Sequence, residues 1–175
     1  MNAIELLTSD HRKIDGIFMQ FQQGGSSEQF RQLFAQLYQE LSLHSLAEES
    51  VVYPVLAKFE ETMGDIKEVY VEHAEAKATL AELAAMDNTS STWSQKMTML
   101  MKDIQNHVQL EENQIFVKLR QRMTAQQLDT LGQEIQKAKQ LNLPGVQSSM
   151  PMQEVMMAGS NMPMQPMNDA QTFSI

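Results

Sequence analysis

Four histidines occur among the 175 residues, and two of them sit in matching surroundings. "HSLAE" places Glu48 four residues after His44, and "HVQLE" places Glu111 four residues after His107. Four residues is about one helical turn, so each pair shares one helix face. Those faces are otherwise apolar, with Leu37, Leu41, Val51 and Val55 around the first pair and Leu100, Ile104 and Ile115 around the second. An ionised carboxylate on such a face is costly unless a cation compensates it. Imidazole with carboxylate suits iron, manganese or zinc. Cysteine is absent, which excludes disulfides, thiolate metal sites and cysteine nucleophiles.

The other two histidines also lie on apolar stripes of helical period. His11 falls among Leu7, Ile14 and Phe18, and His73 among Ile66, Val69, Ala76 and Leu80. The breaks between stripes carry start and stop chemistry. Gly24-Gly25 can end a helix, and capping-box spacing recurs at Asn2/Glu5, Ser26/Gln29, Asp65/Glu68, Thr92/Gln95 and Thr124/Gln127. The pattern predicts helices near 3–23, 27–60, 66–86, 92–121 and 125–140, with Pro54 kinking the second or ending it early. The fold class is all-α: an up-down-up-down four-helix bundle with a short fifth helix.

In antiparallel helices, residues equidistant from the connecting loop share a height. His11 and His44 are equidistant from the turn at 27–28, His73 and His107 from Ser90, and Glu48 and His73 from the break near 60–61. The halves repeat as well. His11 to His73, His44 to His107 and Glu48 to Glu111 are steps of 62, 63 and 63 residues, and "HSLAEESVVYP" aligns with "HVQLEENQIFV". A duplicated helix pair gives pseudo-twofold symmetry. One level of the bundle therefore collects four imidazoles and two carboxylates. The symmetry suggests two metal ions, one held by His11 and His44, the other by His73 and His107, with Glu48 and Glu111 bridging. A lone histidine on an apolar stripe is ordinarily a satisfied core residue, and a lone His/Glu pair a weak helix-surface contact. Neither accounts for four histidines at one height. Glu49, about a quarter-turn from Glu48, is expected to face solvent.

The net charge of −9 disfavours nucleic-acid backbones and anionic membranes. There is no signal-peptide pattern at the N-terminus and no apolar run long enough to span a bilayer, so a cytoplasmic location is expected. The domain is expected over 1–143. Residues 144–175 carry four of the five prolines and seven of the fifteen methionines, and read as a flexible extension. Met150-Pro-Met152 and Met162-Pro-Met164 resemble copper(I) thioether motifs, but a plain extension rich in oxidisable methionine is favoured.

On "DHRKID", "HSLAE", "EHAEAK" and "HVQLE", residues 1–140 resemble the hemerythrin-like family, the HHE cation-binding domains. The resemblance implies a non-haem di-iron site, bridged by an oxide when oxidised, with His11, His44, Glu48, His73, His107 and Glu111 as ligands. Oxygen-carrying hemerythrins have a further histidine one turn after the third-helix ligand, where this chain has Lys77. Both irons could then keep an open position, and plain oxygen carriage is disfavoured. The four-histidine, two-glutamate set resembles di-iron proteins linked to iron–sulfur cluster repair under nitric oxide stress, although their cysteine-bearing N-terminal domain is not expected here. Supporting carboxylates that accept the second imidazole N–H are expected at Glu40, Glu72 and Asp103, while Asp10 reads as a solvated charge.

Three functions remain open. The first is a di-iron protein binding or reducing a diatomic: oxygen, nitric oxide or peroxide. The second is an iron donor or store, with an iron-receiving or redox protein partner, or a cluster-repair protein. The third is a metal-free helical interaction protein. A ferritin-like site is excluded, because its Glu-x-x-His order is not the His-x-x-x-Glu order found here.

Overall fold

The computed structural model describes residues 1–142, and among them every regular element is helical. The Met-rich segment and its Met-Pro-Met motifs lie outside the described residues. The elements are α1 (Ala3–Gln22), α2 (Ser27–Ala47), α3 (Tyr53–Leu56), α4 (Met63–Ala85), α5 (Ser91–Leu110), α6 (Phe116–Arg122) and α7 (Ala125–Leu141). Two π-helical segments, Glu48–Val52 and Glu111–Ile115, join α2 to α3 and α5 to α6. Four rods result: α1, α2 through α3, α4, and α5 through α6. α7 is the short fifth helix, and the bundle is the predicted all-α architecture.

Three of the capping boxes form. The Asn2 side chain accepts from the Glu5 N–H at 3.0 Å while Glu5 accepts from the Asn2 N–H at 3.0 Å, and Ser26/Gln29 and Thr124/Gln127 do the same. Gly24 takes φ 78°, the left-handed angle that lets the chain leave α1. Two expected boxes do not form. α4 starts at Met63, ahead of Asp65, whose carboxylate instead pairs with Lys118. α5 is capped by Ser90, which accepts from the Trp93 N–H at 3.1 Å, two residues ahead of the expected Thr92.

The second rod ends at Leu56 rather than near 60. Pro54 sits in its last turn, after the π segment. Proline cannot be the cause of that segment, since Phe116-Val117 follows an equivalent one without it. In both, the wide hydrogen bond runs from an aromatic residue's N–H, Tyr53 or Phe116, back to the carbonyl of Glu48 or Glu111, five residues earlier.

The hydrocarbon core is in two pieces. One contains Leu7, Val52, Leu56, Val69, Ile115 and Leu119 and extends to α7 through Leu128, Leu131 and Ile135. The other contains Ile14, Phe18, Leu37, Leu80, Leu83 and Leu100 and is closed by Trp93, whose indole N–H donates to the Leu83 carbonyl at 3.2 Å. α7 lies tight on the N-terminus, where a Cβ on Gly132 would meet the Met1 carbonyl oxygen at 2.7 Å. No helix among the described residues is long and apolar enough to cross a membrane.

Candidate metal centre

Between the two cores lies a buried polar layer: His11, His44, Glu48, His73, His107 and Glu111. Glu48 and Glu111 have no solvent exposure. The six residues expected from their spacing are thus brought together, as two clusters that share Glu48: His11, His44, Glu48 and Glu111, and Glu48, His73 and His107. Nε2 of His11 and Nε2 of His44 are 3.2 Å apart, and those of His73 and His107 are 3.1 Å apart. Two nitrogens each ~2.1 Å from one ion, at about a right angle, would lie ~3 Å apart. Glu48 Oε2 is 3.1 Å from His44 Nε2 and 3.5 Å from His73 Nε2. Glu111 Oε2 is 3.3 Å from His11 Nε2 and 3.4 Å from His107 Nε2. Each carboxylate therefore reaches both histidine pairs.

Every imidazole is held from behind by an acid. His11 Nδ1–H donates to Glu112 Oε1 at 2.8 Å, and His73 Nδ1–H donates to Glu49 Oε1 at 2.8 Å. His107 Nδ1–H donates to Glu72 Oε2 at 2.7 Å, and His44 Nδ1 faces Asp10 Oδ2 at 3.5 Å. This pattern obeys the pseudo-twofold: each glutamate after a central glutamate holds the histidine of a distant helix, and each acid before a histidine holds the histidine of the adjacent rod. Fixing Nδ1–H on a carboxylate turns Nε2 to the centre and raises its basicity.

Several expectations about these supporting acids need correction. Glu40 and Asp103 hold no site histidine; the Nδ1 atoms they were expected to serve are taken by Asp10 and Glu72. Glu72 does take part, but on His107 rather than on its sequence neighbour. Asp10 is buried, 4% exposed, and pairs with Lys139 of α7. Burial opposes its ionisation, but His44 and Lys139 hold its carboxyl down to about 2. Glu49 is not left to solvent: besides His73 it takes Lys77 Nζ at 2.6 and 2.7 Å. Adjacent glutamates can both work because the i→i+5 register turns the chain less per residue than an α-helix does. The doubled "EE" at 48–49 and at 111–112 was the available signal.

Tyr53 belongs to the layer too. Its hydroxyl donates toward Glu111 Oε1 at 2.7 Å, lies 3.2 Å from Glu48 Oε2 and is 3.3 Å from His73 Nε2. Burial and the two carboxylates push the phenol far above its usual range, so it stays protonated beside them. Its repeat partner, Phe116, has no hydroxyl and stacks on His11 at 5.7 Å and 3°.

Electrostatically the layer suits a cation. Burial opposes the charge of Glu111, yet His11, His44 and His107 hold its carboxyl well below the usual range. Burial likewise opposes a proton on His44, but Glu48, Asp10 and Glu111 hold it there well above the ordinary value. His73 is lowered, chiefly by burial. Even so, Glu48 Oε1 and Glu111 Oε2 are buried with no hydrogen-bond partner among the described residues. Two buried carboxylates that lie among imidazole nitrogens, each with one oxygen left without a partner, fit divalent or trivalent ions.

The hemerythrin HHE cation binding domain matches residues 2–119, which include all six residues of the layer and stop short of α7. The chain belongs to that family. A solved hemerythrin HHE cation binding domain-containing protein from Mycobacterium kansasii superposes with a TM-score of 0.70 over 80% of this chain and 86% of its own, at 21% identity, which establishes the shared fold. A relative from Nostoc sp., described as a DNA nickase, is 29% identical over 139 residues. The match takes in 79% of this chain but only 39% of the Nostoc protein's length.

Proposed function

We propose that this hemerythrin-like domain holds two non-haem iron ions, and that a small diatomic reacts with them at open coordination positions. His11 and His44 would hold one ion and His73 and His107 the other, with Glu48 and Glu111 shared between them. The observation that carries the reading is the pair of buried carboxylates set between two histidine pairs, each with one oxygen left without a partner. Bound iron would supply redox chemistry and Lewis acidity, with an oxide bridging the two ions in the oxidised resting state.

The chain's own residues set the conditions. Lys77 occupies the position of the additional histidine of oxygen carriers and turns its Nζ to Glu49, away from the centre. That leaves the His73 side short of one nitrogen donor. The cavity against all four histidines is walled mostly by Ile14, Leu41, Ala76, Leu80, Ile104 and Val108, with Ser42, Ser45 and Lys77 completing it. Such a lining favours a neutral diatomic such as oxygen or nitric oxide over a charged ligand, which would have to shed its hydration. Tyr53 keeps its proton and donates a hydrogen bond beside Glu111 and His73.

Metal analysis and absorption spectroscopy of aerobically purified protein test the reading. Two irons per chain with near-ultraviolet oxo-bridge bands support it. A colourless protein with less than one metal ion per chain sinks it in favour of a helical interaction protein. Iron release to a chelator, timed against nitric oxide or oxygen reactivity of the reduced form, separates a diatomic-reactive centre from an iron donor or a cluster-repair protein. We place the protein in the cytoplasm. The acidic balance of the chain argues against carrying DNA nicking over from the Nostoc relative.

A further inference from the structure

The pseudo-twofold relates the two histidine pairs, but their surroundings on the solvent side differ. On the His11/His44 side, Asp10 is buried and paired with Lys139, which reaches it from α7. Glu112 is gripped by Arg12 at 2.6 and 2.8 Å through its two oxygens, and Arg12 is itself tied to Asp15 at 3.1 Å. A guanidinium anchored at both ends holds its carboxylate in one orientation.

The His73/His107 side lacks that cover. Glu72, the acid behind His107, is a third exposed and has no cation partner among the described residues. Glu49 is held by Lys77 alone, a point charge on a flexible stem that, unlike Arg12, has no second acid to anchor it among the described residues. A cleft between α4 and α5 leads from solvent to both His73 and His107, and its rim carries Glu72, Glu75 and Asp103. Neither His11 nor His44 lines it.

We infer that the two ion positions differ in lability: the ion between His73 and His107 is the exchangeable one, loading and leaving through the acidic cleft between α4 and α5, while the ion between His11 and His44 is locked beneath α7. The inference rests on the two-ion reading and deepens it. A hydrated cation avoids the apolar cavity that suits a neutral diatomic, because stripping its water there has no compensation. The cleft offers three carboxylates along the way, and lining a cleft with one sign of charge concentrates the opposite ion. The structure thereby gives cation and diatomic separate approaches to one centre.

The test uses the full chain, freed of metal and reloaded anaerobically with two equivalents of cobalt(II), whose visible bands report each bound ion. On adding excess chelator, release should come in two phases of equal amplitude. Lys139→Ala should speed the slow phase and leave the fast one unchanged. The double variant Glu75→Gln/Asp103→Asn, which touches no site histidine, should slow uptake of the exchangeable ion roughly tenfold while the final content stays at two. Arg12→Gln provides a second probe of the locked side and should also act on the slow phase alone. Two ions released in a single phase, or a Lys139→Ala variant that speeds only the fast phase, overturns the inference and leaves the two-ion reading standing. Uptake of fewer than two equivalents overturns the two-ion reading itself.

Discussion

His11 and His73 are equivalent in the repeat, yet they meet different aromatic partners. Phe116 lies flat on His11, whereas Tyr53 tilts 39° against His73 and sends its hydroxyl to that ring and to both carboxylates. One oxygen atom thus distinguishes the aromatic partners in two halves whose helices, histidines, glutamates and π segments correspond. The backbone symmetry builds the layer, and side chains around it make its ends unlike. A duplicated scaffold can position two ions equally and still give each a different chemistry.

Breaking one half altogether should have the largest effect. His107→Ala removes a central imidazole from the His73 half, and metal content should fall from two ions toward one. Thermal stability should drop with it, because ion binding is coupled to folding. Full metal content in that variant would contradict the assignment of His107. Disturbing the supporting acids sharpens the comparison. Glu49→Gln and Glu112→Gln should each weaken metal affinity by about 10–100-fold, read by competition with a chelator. If only one of the two matters, the symmetry of the supporting layer is cosmetic.

Erasing the aromatic difference should have a smaller effect. Tyr53→Phe leaves the Glu111 and Glu48 oxygens without their donor, and the metal-free protein should lose about 1–3 kcal/mol in denaturant unfolding. Phe116→Tyr, by contrast, would bury a hydroxyl against His11. An unchanged absorption spectrum of the metal-loaded Tyr53→Phe protein would show that the hydroxyl serves the carboxylates rather than the ions. Least of all, Glu40→Gln should leave metal content and stability within about 0.5 kcal/mol of the parent, as expected of a surface change.

The six residues at the centre were legible because the α-helical period and the loop midpoints are simple geometry. Helix starts at Asn2, Ser26 and Thr124 were legible because capping chemistry is local. What escaped depends on a register change. Tyr53 stands five residues after Glu48, off the face that α-helical spacing assigns, and only the π segment returns it to the centre. Glu49 and Glu112 escaped for the same reason. Glu40 and Asp103 were placed on the right faces, but those faces lead to the far side of the imidazoles, where Asp10 and Glu72 already sit. Asp10 was misjudged because its burial depends on α7, more than a hundred residues away, and no local pattern announces that contact.

The polar layer also divides the hydrocarbon of the bundle into an upper and a lower reservoir. The two are separate clusters, with the imidazoles, the carboxylates and the Tyr53 hydroxyl between them. The domain's cooperativity must then run through its waist. Withdraw the ions, and the mutual repulsion of two buried carboxylates falls on the one place where the ends are joined. Amide exchange after metal removal should therefore quicken first around Ala47–Tyr53 and Leu110–Phe116, with the Trp93 end and the α7 end each keeping protection of its own. On the two-ion reading, a bundle built this way would be a rod that is stiff when loaded and jointed when empty.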